Sequence, residues 1–180
     1  MGVRQIGARV QRVEDENLIR GDGKYLDDIQ LPNMAYVAFL RSSMAHAKIN
    51  ISDITKAKSM PGVFEVFTYK TLPSSLVSKT QLETYPAPII KQSMCPDLLA
   101  NEEVAHVGQA IAMVVASSRH IAEDACELIE VEYSALKPII DVLKAAEPDS
   151  ELTHSNLKDN IAASIEAQFA DVEPASSESH

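Results

Sequence analysis

Seven consecutive apolar residues, AIAMVVA at Ala110–Ala116, constrain the fold more than any other stretch of this chain. The run is far too short for a bilayer-spanning helix, which takes about 20 residues. It is too apolar to lie on a surface, and it suits a strand buried on both faces. Ser117 or Ser118 can cap a following helix, because a serine hydroxyl accepts from the free amides of a first turn. In RHIAEDACELIE, Ile121, Ala125, Leu128 and Ile129 fall on one helical stripe. IEVEY then alternates as a strand.

The same order occurs earlier. MAYVAFLR (Met34–Arg41), behind the turn signal Leu-Pro-Asn, and then Ile49-Asn50-Ile51 read as strands. Ser52 or Asp53 can cap a helix over Ile54–Met60. Pro61-Gly62 ends it, since proline disfavours helical geometry in the residue before it and glycine accepts a left-handed turn. VFEVF alternates, with Val63, Glu65 and Phe67 on one side and Phe64 and Val66 on the other, toward a core. The sequence thus predicts an α+β fold with a mixed sheet and two strand–helix–strand units. Each helix is expected to cross over, right-handed, between parallel strands.

TLPSSLVSKTQLETYPAPIIKQSMCPD, Thr71–Asp97, is rich in Pro, Ser and Thr and lacks periodicity. It reads as an extended surface loop, of a length that is often functional or docked on a partner. Beyond Lys144 the periodic signals fade into a connector, and EPASSESH reads as a disordered end. The expected boundaries are one domain over residues 1–146, then a connector and partly disordered tail over 147–180.

The formal net charge of −10 argues against nucleic acid as a partner, because phosphate binding needs a basic surface. No apolar run suits a membrane span, and the N-terminal MGVRQIGARVQRVEDE has no apolar signal region. Ile6 stands where a myristoylation signal needs Ser or Thr. There are two cysteines, Cys95 and Cys126, in no Cys-x-x-Cys pair and at no zinc spacing. Together these features place the chain in a reducing, cytoplasmic setting. An iron–sulfur cluster takes about four cysteine ligands, so this chain cannot hold one by itself. Cys126 falls on the helix face as an inert thiol, and Cys95 precedes Pro96 in the loop.

Each chemically suggestive residue has a plainer reading. Gly21-Asp22-Gly23 lacks the third glycine of a dinucleotide fingerprint, and Lys24 precedes Tyr25 rather than Ser or Thr, so a turn between extended segments is expected. Asp27 and Asp28 lack the further oxygen ligands a metal needs and read as a solvated turn. Arg41 and His46 flank the turn between the first two strands. A catalytic histidine needs an orienting partner, and none is visible nearby in the sequence, so structural hydrogen bonding or an interface is expected. His106 and His120 are read the same way, with His120 exposed. Asn50-Ile51-Ser52 matches a glycosylation acceptor that goes unused without secretion. No nucleophile elbow, H-E-x-x-H or P-loop occurs.

Three motifs occur in one order: RVEDENLIRGDGKYLDDIQLPNMAYVAFLRSSMAHAKI, DITKAKSMPGVFEVFT and EVAHVGQAIAMVVASSRHIAEDACELIEVEYSALKPIID. The series resembles the opening of the large subunit of molybdenum hydroxylases, the family of xanthine dehydrogenase, aldehyde oxidase and aerobic carbon monoxide dehydrogenase. Its first part is most similar to the carbon monoxide dehydrogenase branch, and the match spans about Gly7 to Asp141. The resemblance implies an N-terminal α/β hammerhead domain with a structural and assembly role. It implies a molybdopterin-bound molybdenum site, iron–sulfur clusters and FAD only in a complete complex with other polypeptide. The family's cofactor loops and catalytic glutamate lie downstream of the hammerhead, so no catalytic, cofactor-binding or metal-binding residue is assigned here, and the chain alone is expected to be inactive. The alternative is a free-standing binding or regulatory domain with this fold.

Three departures stand inside the match. Arg41-Ser42-Ser43-Met44-Ala45-His46 stands where the family tends to read Arg-Ser-Pro-His-Ala-His. Ala105–Ala110 replaces Arg-Tyr-Val-Gly-Gln/Glu-Pro, and Ala163-Ser164 replaces a Gly-Asp pair. These positions are expected in turns and at domain contacts.

Overall fold

The computed structural model describes residue 7 and residues 12–77, 91–92 and 97–165. The chain divides into two compact units, residues 1–34 and 35–180. In the first unit, α1 (Asp15–Arg20) carries Asp15 and Glu16 in its first turn, where negative charge suits the helix dipole. Gly21, at φ 79, caps its end: Gly21 N–H donates to Leu18 O at 3.2 Å and Asp22 N–H to Asn17 O at 2.9 Å. The Gly21–Gly23 stretch is therefore the end of a helix rather than a turn between extended segments. The helix buries no residue, so it leaves no apolar stripe in the sequence. Asp27 and Asp28 lie in a 3-10 turn, Leu26–Asp28, and the Asp28 carboxylate accepts from Tyr25 N–H at 2.9 Å.

Among the described residues the second unit holds six strands: β1 (Tyr36–Arg41), β2 (Ala47–Asp53), β3 (Val63–Thr68), β4 (Glu103–Val104), β5 (Ala110–Ala116) and β6 (Glu130–Ala135). Among the described residues, α2 (Thr55–Ser59), α3 (Ser74–Val77) and α4 (Arg119–Glu127) lie between strands, and α5 (Val142–Ala145) follows β6. The strands form two three-stranded sheets, ordered β1-β5-β3 and β4-β2-β6. The α+β class and both strand–helix–strand units are present. The pairing differs from the expected mixed sheet, because every strand pair is antiparallel. The two strands of each unit lie in different sheets: α2 carries the chain from β2 to β3, and α4 from β5 to β6. The β2–β3 connection, residues 54–62, is shorter than the dozen or more residues a parallel crossover takes. The β5–β6 connection, residues 117–129, is long enough for one, and there β6 pairs with β2 instead.

The central strand β5 is as buried as its composition demands. Ala112, Val114 and Ala116 face a core that includes Ala57 of α2, Val66 of β3 and Ala122, Ala125, Cys126 and Ile129 of the α4 region. Ile111 joins a second core with Ala47, Ile49, Ala100 and Val104. Ile51 and Val131 pack against both cores, so the sheets share one apolar interior. Each fully buried valine or isoleucine here contributes roughly 1.5–3 kcal/mol relative to exposure.

The helix ends follow the local chemistry. Ser118 is the N-cap of α4, and its hydroxyl accepts from Ile121 N–H at 3.3 Å. Asp53 serves α2, its carboxylate accepting from Thr55 N–H at 2.7 Å. Met60, ahead of Pro61, is extended at ψ 130, and Gly62 takes φ 91. Two apolar positions depart from expectation. The β3–β5 register shifts between Val63 and Glu65, so Phe64 is the extra residue of a bulge and is 62 % exposed, while Val66 is fully buried. Leu128, just past α4, is 38 % exposed, and the buried stripe runs instead through Ala122, Ala125, Cys126 and Ile129. Most of Thr71–Asp97, including Cys95, and the tail from residue 166 lie outside the described residues.

Candidate functional site

The β1–β2 turn and the β4–β5 turn meet through the main chain. Ser42 N–H donates to Gln109 O at 2.9 Å, and Gly108 N–H donates back to Ser42 O at 2.8 Å. Arg41 Nη1 donates to Gly108 O at 2.8 Å, and its guanidinium lies 5.4 Å from the centre of the Phe39 ring. The buried Gln109 accepts from Ala105 N–H at 2.7 Å, closing the β4–β5 turn on itself. The buried Ser42 hydroxyl donates to Met44 O and accepts from Met44 N–H, which fixes the β1–β2 turn. Two of the three segments that depart from the family pattern are therefore in contact with each other.

His46, 7 % exposed, bonds to a separate set of partners from Arg41. Its Nε2 lies 2.7 Å from Glu103 Oε1 and its Nδ1 lies 3.0 Å from Lys137 O. The Glu103 carboxylate also accepts from Ser155 N–H, at 3.1 Å and 3.3 Å to its two oxygens. Burial pulls the His46 pKa down. The Lys137 carbonyl, the bond to Glu103 and the charges of Glu103 and Glu151 outweigh it and raise the pKa above the usual imidazole value. Burial pushes Glu103 up, but the bonds from His46 and Ser155 and the imidazole charge hold it below the usual carboxylate value. With both ring nitrogens occupied, His46 has none left to take a proton from a substrate. The arrangement is that of a structural tie, as the sequence predicts, and its orienting partner lies 57 residues away.

The other candidates stay apart. His106 and His120 are exposed. The Asn50 amide donates to Glu132 Oε2 at 3.1 Å, and Ser52 Oγ donates to Glu130 O at 3.3 Å, so both polar residues of the glycosylation pattern are bonded to β6. Burial pushes the Cys126 thiol up to about 11, with the Glu123 charge adding to it, which makes it a poor nucleophile. A cleft of about 590 Å³ runs beside β2 and is lined in part by Lys48, Asp53, Lys70 and Glu102, charges of both signs. Among the described residues, no three His, Cys, Asp or Glu come together in a group able to hold a metal ion. His46 and Glu103 are bonded to each other and to Lys137 and Ser155, so the described residues do not fit a molybdenum ligand set. No described helix is long and apolar enough to cross a membrane. Glu103 and Ser155 carry no sequence signal that links them to His46.

A family model described as "Aldehyde oxidase and xanthine dehydrogenase, a/b hammerhead domain" matches residues 20–137. The chain is similar to the carbon monoxide dehydrogenase large chain of Afipia carboxidovorans, 40% identical over 156 residues that cover 87% of this chain and 18% of that protein. It is similar to the nicotine 6-hydroxylase large subunit of Paenarthrobacter nicotinovorans, 36% identical over 177 residues that cover 94% of this chain and 20% of that one. Among solved structures, quinoline 2-oxidoreductase from Pseudomonas putida 86 superposes with a TM-score of 0.69 at 37% identity, covering 86% of this chain and 19% of that chain. The chain thus spans about a fifth of the length of these relatives.

Proposed function

This chain belongs to the aldehyde oxidase and xanthine dehydrogenase family and carries its hammerhead domain, and from that we propose that it serves as a structural and assembly element of a molybdenum-dependent hydroxylase or dehydrogenase. The observation that carries the reading is the pair of interlocked turns around Arg41 and Gly108. Their hydrogen bonds give a sequence-specific surface, and the His46–Glu103 acid–base pair is spent within the domain. We read residues 1–146 as the hammerhead and 147–180 as connector, with no catalytic, cofactor-binding or metal-binding residue among them. The chemistry is expected on other polypeptide of the complex. Molybdopterin-bound molybdenum, iron–sulfur clusters and FAD would sit there, and the setting would be the cytoplasm. The names of the relatives, a large chain and a large subunit, support a multi-subunit assembly.

The test is purification of the tagged chain from its native cell, with co-purifying proteins identified by mass spectrometry and molybdenum measured in the eluate. A molybdenum-bearing polypeptide of the same family is the expected result. A metal-free monomer, or molybdenum-dependent oxidation by the 180-residue chain alone, would overturn the reading.

A further inference from the structure

Both neighbours of the His46 ring are hydrogen-bond acceptors. The Lys137 carbonyl has no proton to give. The Glu103 carboxylate already accepts from Ser155 N–H on both oxygens. A neutral imidazole has one N–H and would leave its other nitrogen lone pair facing an oxygen. The contacts at 2.7 Å and 3.0 Å together are satisfied only by the imidazolium, which donates from both nitrogens.

The same pair holds both ends of one chain segment. Past β6, Leu136 N–H donates to His46 O at 2.9 Å and Lys137 O accepts from the ring. The chain runs through α5, where Asp141 caps the helix by accepting from Leu143 and Lys144 N–H. It returns at Ser155, bonded to Glu103. Asn160 braces this loop, donating to Ala145 O at 3.0 Å and Glu151 O at 2.7 Å and accepting from Thr153 N–H at 2.8 Å. The charged groups around the ring are Glu103 on β4 and Glu151 on the loop, and the Lys137 ammonium lies 3.4 Å from Glu151.

We propose that His46 and Glu103 form a proton-set clasp on the segment Lys137–Ser155, closed at both ends while His46 is doubly protonated and open at the Lys137 end when one ring proton is lost. The proton leaves Nδ1, because a lone pair facing a neutral carbonyl costs less than one facing a carboxylate. The Nε2–H bond to Glu103 persists, and with it the Ser155 end. Deprotonation thereby leaves the near end of the loop to the main-chain bond from Leu136 N–H to His46 O alone, while the Ser155 end stays held, which loosens the exit of β6. The clasp needs no second polypeptide, so its test does not depend on whether the assembly reading stands.

The experiment is a pH titration of the ¹⁵N-labelled chain by NMR. The His46 ring nitrogens are observed and assigned apart from His154, and hydrogen exchange is followed at Leu136, Ser155 and the core amide Val114. We expect both ring nitrogens protonated at pH 6, with Nδ1 alone losing its proton as the pH rises. Across that step, Leu136 exchange should accelerate roughly tenfold relative to Val114, the loss of one charge-assisted hydrogen bond, while Ser155 keeps pace with Val114. In His46→Gln the step in Leu136 exchange should vanish. A ring neutral at pH 6, loss of the Nε2 proton instead, or unchanged relative exchange at Leu136 would overturn the clasp. The wild-type titration decides the matter even where the variant does not fold.

Discussion

Gly62, at φ +91, lies so close under Ile121 that a methyl built on it would come within 2.8 Å of the isoleucine Cδ1 and 2.9 Å of Ser117 Oγ. The contact joins the end of α2 to the start of α4, and Ser117 N–H donates to Gly62 O at 2.9 Å in the same place. Gly62→Ala combines left-handed backbone strain with this crowding. We expect it to destabilise the second unit by about 1–3 kcal/mol, read as a lowered urea midpoint at unchanged slope.

Phe64 and Val66 test the β3 bulge. Val66→Ala removes two buried methyl groups and should cost about 2 kcal/mol. Phe64→Thr removes a far larger side chain from an exposed position and should stay within about 0.5 kcal/mol. Thermal unfolding of the two variants side by side checks this, and equal losses would place Phe64 in the core.

Cys126 should resist alkylation in the folded chain. With its thiol pushed up to about 11, the thiolate at pH 7 is on the order of one part in ten thousand. Peptide mapping after iodoacetamide should show Cys126 unmodified in buffer and modified in denaturant. Rapid labelling in buffer would contradict its burial.

Glu103 sets an acid limb. Its folded pKa is depressed, so the stability it contributes is present above the ordinary carboxylate value and is lost as the pH falls through the depressed one. Glu103→Gln should therefore be less stable than wild type at pH 7, and the gap should close as the pH drops. Melting temperatures measured from pH 7 to pH 3 read this directly. His46 works in the opposite sense: with its pKa raised, its share is complete below the ordinary imidazole value and is lost as the pH rises through the raised one.

What the sequence conveys here is local. Ala110–Ala116 announces a buried strand because a short apolar run bounded by Gly108 and two serines suits a strand better than a helix of about ten or more residues, and Pro61-Gly62 announces a helix end because two backbones there have few options. Ser118 and Asp53 can be read as caps for the same reason. Sheet membership is another matter. Nothing within β2–α2–β3 says that β2 pairs with β6 and β3 with β5, because those partners lie in distant sequence and only the short connection, residues 54–62, argues against a parallel crossover. Phe64 misleads because a bulge resets the alternation by one residue, and it leaves no mark in VFEVF. The His46–Glu103–Ser155 tie is illegible because a lone carboxylate and a backbone amide have no pattern.

The order of the first sheet has a consequence for how the chain is made. β1 and β3 are not paired with each other; each pairs with β5, which lies between them. During synthesis both strands emerge well before Ala110–Ala116, and until that run appears neither has its partner. Closing the sheet then depends on one late strand entering a slot between two early ones. Because closure entropy grows only slowly with loop length, roughly 0.6 kcal/mol per doubling, the stretch between β3 and β4 can vary in length among relatives at little thermodynamic cost. A defect in β5, by contrast, leaves two apolar edges stranded at once.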